Sequence, residues 1–172
     1  MNQASPVDNS KLRMSATAVA KMRAHEKAVY HYYDDGGPGK GNCTWGIGTL
    51  AHRGPCTAME LKIVVNPAAV ESAFTANVGV AEQAVLRAVK NCALTQEQFD
   101  ALVSYTYNVG SGRAQATLRR VDKGDLKAAA TGISASIYMS VKNKAGKTKM
   151  VIARGLVRRR AEESAPFRGT DK

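Results

Sequence analysis

The stretch HEKAVYHYYDDGGPGKGNCTWGIG, residues 25–48, places Glu26 nine positions ahead of Asp35. Asp35 lies in a Tyr-x-Asp context, and Thr44 stands just before a Gly-x-Gly turn. An acid, a second carboxylate and a hydroxyl are the groups needed around one glycosidic bond. A protonated carboxyl donates to the leaving oxygen, and an ionised carboxylate handles the water or the oxocarbenium charge. Glu26 and Asp35 fit those two parts. Asp34 competes with Asp35; its structural alternative is a turn residue that bonds nearby backbone.

The local elements support that choice. From Ser15, an N-cap residue type, Val19, Met22 and Glu26 recur with the period of a helix face, so Glu26 falls on the stripe that should be apolar. A carboxyl on a core-facing stripe loses hydration, which favours the protonated form a general acid needs. The plainer alternative is a helix-end Glu paired with an Arg. Residues 28–57 read as a hairpin: AVYHYY extended, GGPGKGN as loop, TWGIGTLAH as a second extended run. Asp35 then ends the first strand and Thr44 opens the next.

Two further blocks follow in order, LTQEQFDALVSYTYNVGSG at 94–112 and GLVRRRAEE at 155–163. With these three collinear blocks the chain resembles the phage-type lysozymes, the endolysins and related muramidases, a family of glycoside hydrolases. The resemblance implies an α+β lysozyme-like fold: a small β-hairpin lobe and a larger helical lobe joined by a long helix, with a cleft between them. It implies hydrolysis of the bond between N-acetylmuramic acid and N-acetylglucosamine in peptidoglycan glycan strands, with no cofactor and no metal. Glu26 would protonate the leaving oxygen, and Asp35 and Thr44 would position a water for an inverting attack. Tyr33, Arg159 and Asn108 would serve as substrate contacts or electrostatic support.

The chain departs from the family pattern in two places. Eight residues separate Asp35 from Thr44, where the family usually has five, so Thr44 could be displaced. Thr49 follows Gly48 where the family commonly has His, leaving His52 as a weak substitute. Alternative readings are an antibacterial effector of bacterial origin and a lytic transglycosylase. The latter needs only one acid/base Glu.

Apolar residues spaced three or four apart from Val70 to Val89 predict a helix over roughly 67–91, with Gly79 inside it. Thr95 and Gln98 form a capping-box pattern that opens the next helix, which Asn108-Val-Gly-Ser-Gly ends. The C-terminal part carries a basic loop, KNKAGKTK at 142–149, and a basic helix. Consecutive helical residues point about 100° apart, so Arg158, Arg159 and Arg160 cannot all face one way. Arg159 continues the stripe of Ile152 and Leu156 and is the inward candidate; the others read as a solvated basic face.

Composition sets the class. With 172 residues, 44% hydrophobic and 23% charged, the chain suits one globular domain over 15–172, with 1–14 read as a mobile tail. A formal charge of +11 points to an anionic partner such as a cell-wall or outer-membrane surface. A basic nucleic-acid-binding helical module is the runner-up from another class, although no recognised nucleic-acid motif is present. A monomer is expected. No apolar run is long enough to span a membrane, and no signal-peptide core follows Met1, so synthesis in the cytoplasm and release by a holin-type route are expected. Cys43, Cys56 and Cys92 default to thiols in a reducing cytoplasm, with Cys92 buried on a helix. A Cys43–Cys56 bridge is the alternative, and it would clamp the loop that carries Thr44.

Overall fold

The computed structural model describes residues 8–142 and 147–169, and of Lys142 only the backbone. The chain forms two compact units, Ala16–Val80 and Met1–Ser15 with Ala81–Lys172. We call them the N-terminal unit and the helical unit.

The N-terminal unit begins with α1 (Ala16–His25), followed by β1 (Val29–Asp34), β2 (Cys43–Gly46) and β3 (Thr49–His52) in one antiparallel sheet of order β1-β2-β3. The second extended run expected from sequence is therefore two strands. Gly46 and Gly48 turn the chain between them with φ of 64° and 71°, values that L side chains rarely adopt. A Cβ on Gly46 would also come within 3.3 Å of Val70. β1 is irregular, because Val29 pairs with Gly46 while Tyr33 pairs with Thr44. Two extra residues thus bulge from β1, and the outer edge of that stretch bonds residues 63–65 through Tyr32 N to Ile63 O and Val65 N to Tyr30 O. Met22, Ile47, Val70, Phe74 and Val78 form the core of this unit, each contributing roughly 1.5–3 kcal/mol on burial.

Helix α2 (Pro67–Ala88) continues from one unit into the next, the division falling between Val80 and Ala81, one residue after Gly79. In the helical unit follow α3 (Gln96–Val109), α4 (Ser111–Asp122), α5 (Leu126–Ala135), the antiparallel pair β4 (Tyr138–Lys142) and β5 (Thr148–Ile152), and α6 (Arg154–Ser164). The Thr95/Gln98 capping box is present in both directions, and Gly110 ends α3 with φ of 83°. Phe99, Leu102, Val103, Leu118, Val121, Ile133 and Phe167 fill the core.

Several expectations are corrected here. Residues 8–14 are packed rather than tail-like: the buried Asn9 side chain donates to Val89 O and Cys92 O and accepts from Leu94 N, and Met14 is buried. Residues 1–7 lie outside the described residues. Of the basic segment 142–149, read as a loop, Lys142 ends β4 and Thr148 and Lys149 open β5, while 143–146 lie outside the described residues. Cys92 is partly exposed in the turn beyond α2. Two of the three consecutive arginines are buried, not one. Arg160 is the more deeply enclosed at 1%, because positions three and four before Glu163 share the inward face of α6. Arg158 is 84% exposed and pairs with Glu162.

Candidate active site

Four of the residues singled out by sequence fall in the N-terminal unit. Glu26 is half-buried at the first position past α1, where its amide donates to Arg23 O at 3.2 Å. The Arg23 guanidinium donates to Glu26 O at 3.2 Å and to Glu71, which fixes the backbone that carries the carboxyl. Met22 is the buried residue of α1, so the stripe expected to be apolar is buried at one point only.

Tyr33 and Thr44 are direct cross-strand partners, so their side chains share one face of the sheet. Asp35, two residues beyond Tyr33 and one past the end of β1, continues that alternation. Tyr32 and Trp45, one step out of phase with Tyr33 and Thr44, stack on the opposite face at 6.3 Å. Thr44 is buried and its hydroxyl donates to Asn42 O at 3.4 Å.

The Tyr33 phenol connects these groups electrostatically. Its pKa is raised above the ordinary phenol value first by burial, then by the neighbouring Asp35 and Glu26 carboxylates, and a hydrogen bond from the Gly48 amide opposes the rise. Both carboxylates therefore act on one hydroxyl, at the sheet position opposite Thr44.

The adjacent aspartates have different employment. Asp34 accepts from Cys56 N at 2.7 Å and from Gly39 N at 2.6 Å, using both oxygens to close loops. Asp35 is exposed, and its carboxylate is oriented by Asn42 through the backbone N–H at 2.7 Å and Nδ2 at 3.3 Å. Asn42 thus holds the Asp35 carboxylate, a contact not foreseen from the sequence. The signal available was a side chain with two amide donors directly across the hairpin from Asp35. Gly41 is needed beside it, since a Cβ there would sit 2.0 Å from Asp35 Oδ1.

The lengthened loop lies beyond the Tyr33–Thr44 pair. Gly36 N to Lys40 O, Lys40 N to Gly37 O and Asp35 N to Asn42 O close residues 36–41 on themselves, outside the ladder. Cys43 and Cys56 are disulfide-bonded, with Cα atoms 4.5 Å apart, so the bridged alternative is the one the structure adopts. His52 pairs with Glu60 at 2.9 Å. The His52 pKa is raised by the Arg53 carbonyl and then by Glu60, and that of Glu60 is lowered chiefly by Thr57.

Arg159 and Asn108 belong to the helical unit. Arg159 donates to Glu163 at 2.9 Å and to Ser104 O at 3.3 Å. Arg160 donates to Glu163, to Asn108 Oδ1 and to Ser136 O at 3.0 Å, and lies over the Tyr105 ring at 5.1 Å.

The profile of the phage lysozyme family matches residues 23–163, most of the chain. This chain belongs to the phage lysozyme family. It is 40% identical over 83 residues to an endolysin of Bacillus phage PZA, a match covering 46% of this chain and 29% of that protein, so well under two thirds of that relative's length is spanned. Among solved structures, the endolysin from Escherichia coli O157:H7 phage FAHEc1 is 27% identical with a TM-score of 0.68, covering 91% of this chain and 94% of that one. The muramidase domain of SpmX from Asticaccaulis excentricus is 25% identical with a TM-score of 0.67, covering 91% and 98%. The α+β fold of this phage lysozyme chain is the lysozyme-like fold of those neighbours.

Proposed function

We propose that this chain is an endo-acting muramidase that hydrolyses the bond between N-acetylmuramic acid and N-acetylglucosamine in bacterial peptidoglycan, as a lysis enzyme of the endolysin kind. The observation that carries the reading is the sheet face on which Thr44 stands opposite Tyr33, and on which Asp35, oriented by Asn42, follows Tyr33 two residues on; the Asp35 and Glu26 carboxylates both raise the Tyr33 pKa. Membership of the phage lysozyme family supplies the substrate class.

In this mechanism Glu26 protonates the leaving glycosidic oxygen. Asp35, held by Asn42, accepts a proton from a water that Thr44 helps to place, and the water attacks the anomeric carbon from the opposite face. The reaction then inverts, which requires room for a water between carboxyls about 6.5–9.5 Å apart. Arg159 and Asn108 enter as electrostatic support and substrate contact from the family resemblance. Because each also bonds within the helical unit, they are best tested on soluble oligosaccharide well below the melting temperature.

The surplus of 25 Lys and Arg over 14 Asp and Glu draws the enzyme to anionic wall polymer, and exposed charges are screened over about 8 Å at physiological ionic strength. Wall lysis should therefore weaken as salt rises. Among the described residues, no helix is long and apolar enough to cross a membrane. Release to the wall is assigned to a separate holin-type component.

Mass analysis of muropeptides released from purified peptidoglycan tests the reading. Reducing muramic ends are expected. Anhydro ends would make the chain a lytic transglycosylase, and no release would make it a binding protein. Proton NMR of the first product formed should show the inverted anomer; the retained anomer would move Asp35 from water activation to nucleophile.

A further inference from the structure

Around the disulfide the N-terminal unit gathers a second set of chemically capable groups, independent of the reaction proposed above. Cys43 and His52 are partners across the β2–β3 ladder, and Glu60 reaches them from the single helical turn Glu60–Lys62. The Cys43 sulfur, a His52 ring nitrogen and a Glu60 carboxylate oxygen all lie within 4.8 Å of one another. The Cys56 sulfur, bonded to that of Cys43, is at the same place. Ligand atoms around a tetrahedral Zn2+, with Zn–S of about 2.3 Å and Zn–N and Zn–O of about 2.0–2.2 Å, stand roughly 3.3–3.8 Å apart. Small side-chain movements would bring this set to that spacing.

The outer hydrogen bonds are those that orient metal ligands. His52 Nδ1 lies 3.0 Å from Arg53 O; donating there makes Nε2 the metal-facing nitrogen once a cation displaces the proton it shares with Glu60 Oε1 at 2.9 Å. Glu60 Oε2 accepts from Thr57 N at 2.7 Å and Thr57 Oγ1 at 2.8 Å, which aims the carboxylate and leaves Oε1 toward the sulfurs and the imidazole. Two thiolates, an imidazole and a carboxylate form a borderline-soft donor set that suits Zn2+ over Mg2+ or Ca2+. The order Cys43, His52, Cys56, Glu60 has no paired-Cys, paired-His spacing. That order is not a sequence signature of a zinc site.

We propose that the dithiol form of this protein binds one zinc-class cation through Cys43, His52, Cys56 and Glu60, and that a small-molecule disulfide, which takes two electrons from the two thiolates and two protons from water to become two thiols, oxidises the pair to the Cys43–Cys56 bridge and so releases the metal. Either closure ties β2, the strand of Thr44, to the segment 52–60. The cation would hold that segment under reducing conditions and the disulfide would hold it under oxidising ones. In the test a phosphine opens the S–S bond: it is oxidised to the phosphine oxide with oxygen from water, and each sulfur takes up a proton. Zn2+ then displaces those two protons as it binds the thiolates.

The experiment uses the full chain carrying Cys92→Ser, which removes the remaining thiol. The phosphine-reduced protein should take one Zn2+ from a chromophoric chelator, at least about 100-fold more tightly than the oxidised protein does. Co2+ added to the reduced form should give the intense visible bands of a tetrahedral site and sulfur-to-metal charge transfer. His52→Ala and Glu60→Gln should each weaken Zn2+ binding by more than the 10- to 100-fold that loss of an outer-shell partner costs, and Thr57→Val should fall in that range. Should a variant fail to fold, the Co2+ spectrum of the unsubstituted reduced chain decides alone. Equal affinity in both redox forms, an octahedral Co2+ spectrum, or binding indifferent to His52→Ala in the folded variant would overturn the proposal.

Discussion

Glu163 and the pair Glu26 and Asp35 are carboxylates in different surroundings. In the helical unit Glu163 is 4% exposed, with one oxygen on Arg159 and Ser104 and the other on Arg160. Taking these charges out of water carries a penalty that the surrounding hydrogen bonds offset only while every partner is present. In the N-terminal unit Asp35 is exposed and Glu26 half-buried, and what is fixed is their setting: Arg23 holds the Glu26 carbonyl and Asn42 orients the Asp35 carboxylate. A buried carboxylate surrounded by donors has architectural work. One that is oriented yet open to water can exchange a proton with a substrate.

The largest test of that contrast exchanges the two fates. Glu26→Gln should cut wall lysis by about 100- to 10,000-fold, the contribution of a general acid, with the melting temperature nearly unchanged. Glu163→Gln should instead destabilise the fold by about 3–5 kcal/mol, because two guanidinium groups lose a buried counter-charge. Turbidity assays and thermal melts on both variants settle the matter. A folded Glu26→Gln enzyme with more than a few per cent activity would remove Glu26 from the acid role.

A finer version lies within one dipeptide. Asp35→Asn should be severely impaired in turnover on soluble oligosaccharide while still folding, since an amide cannot accept the proton from water. Asp34→Asn should keep most of its turnover but melt lower, because Asp34 closes loops through Gly39 and Cys56. The reverse ranking of kcat would mean that the catalytic member of the pair is Asp34.

Much of this layout was legible in the chain. Thr95 and Gln98 marked the start of α3, and the three- and four-residue spacing of Val70, Phe74, Val78 and Val85 marked α2, because capping and helix periodicity are local properties. Type and spacing single out Glu26, Asp35 and Thr44, whereas three features, two in the N-terminal unit and one in the helical unit, are not visible in the chain. The Gly-x-Gly turn is visible, but its splitting of the second extended run into β2 and β3 is not, because Trp45 and Ile47 flank Gly46 with β-forming types. Asn42 looked like loop filler, since a positioning residue shows itself only once the hairpin register is known. The burial of Arg160 was missed because the stripe was projected from Ile152 and Leu156, whereas the inward face of α6 follows Glu163 and Ser164. The redox state of Cys43 and Cys56 could not be chosen by counting; their proximity depends on the β2–β3 ladder and the bond from Cys43 N to Gly54 O.

The disulfide allows a test of intermediate size. Thiol titration of the oxidised, denatured protein should find one thiol, Cys92. Reduction with a metal chelator present releases a loop of 13-residue separation, and the chain-entropy account places the loss of stability at about 3 kcal/mol. Activity should fall more than the fraction unfolded, since β2 carries Thr44. Equal loss of both would mean that the bridge stabilises the unit without positioning Thr44.

The smallest effect concerns the exposed counterpart of the Arg159–Glu163 pair. His52 and Glu60 are joined at 2.9 Å at the surface, where an ion pair is screened and contributes little. Its pH dependence has a definite sign. The His52 pKa is raised in the folded protein, so its contribution is fully present below the ordinary imidazole pKa and is lost as pH rises through the elevated folded value. The Glu60 pKa is lowered, so its contribution is present above the ordinary carboxyl range and is lost as pH falls through the depressed folded value. The pair therefore works in the window between those two folded values. In oxidised, metal-free protein, the melting difference between the parent and His52→Ala should be greatest in mildly acid solution and shrink toward alkaline pH. A difference that grows with pH would show that His52 acts as a neutral packing group, not as the charged partner of Glu60.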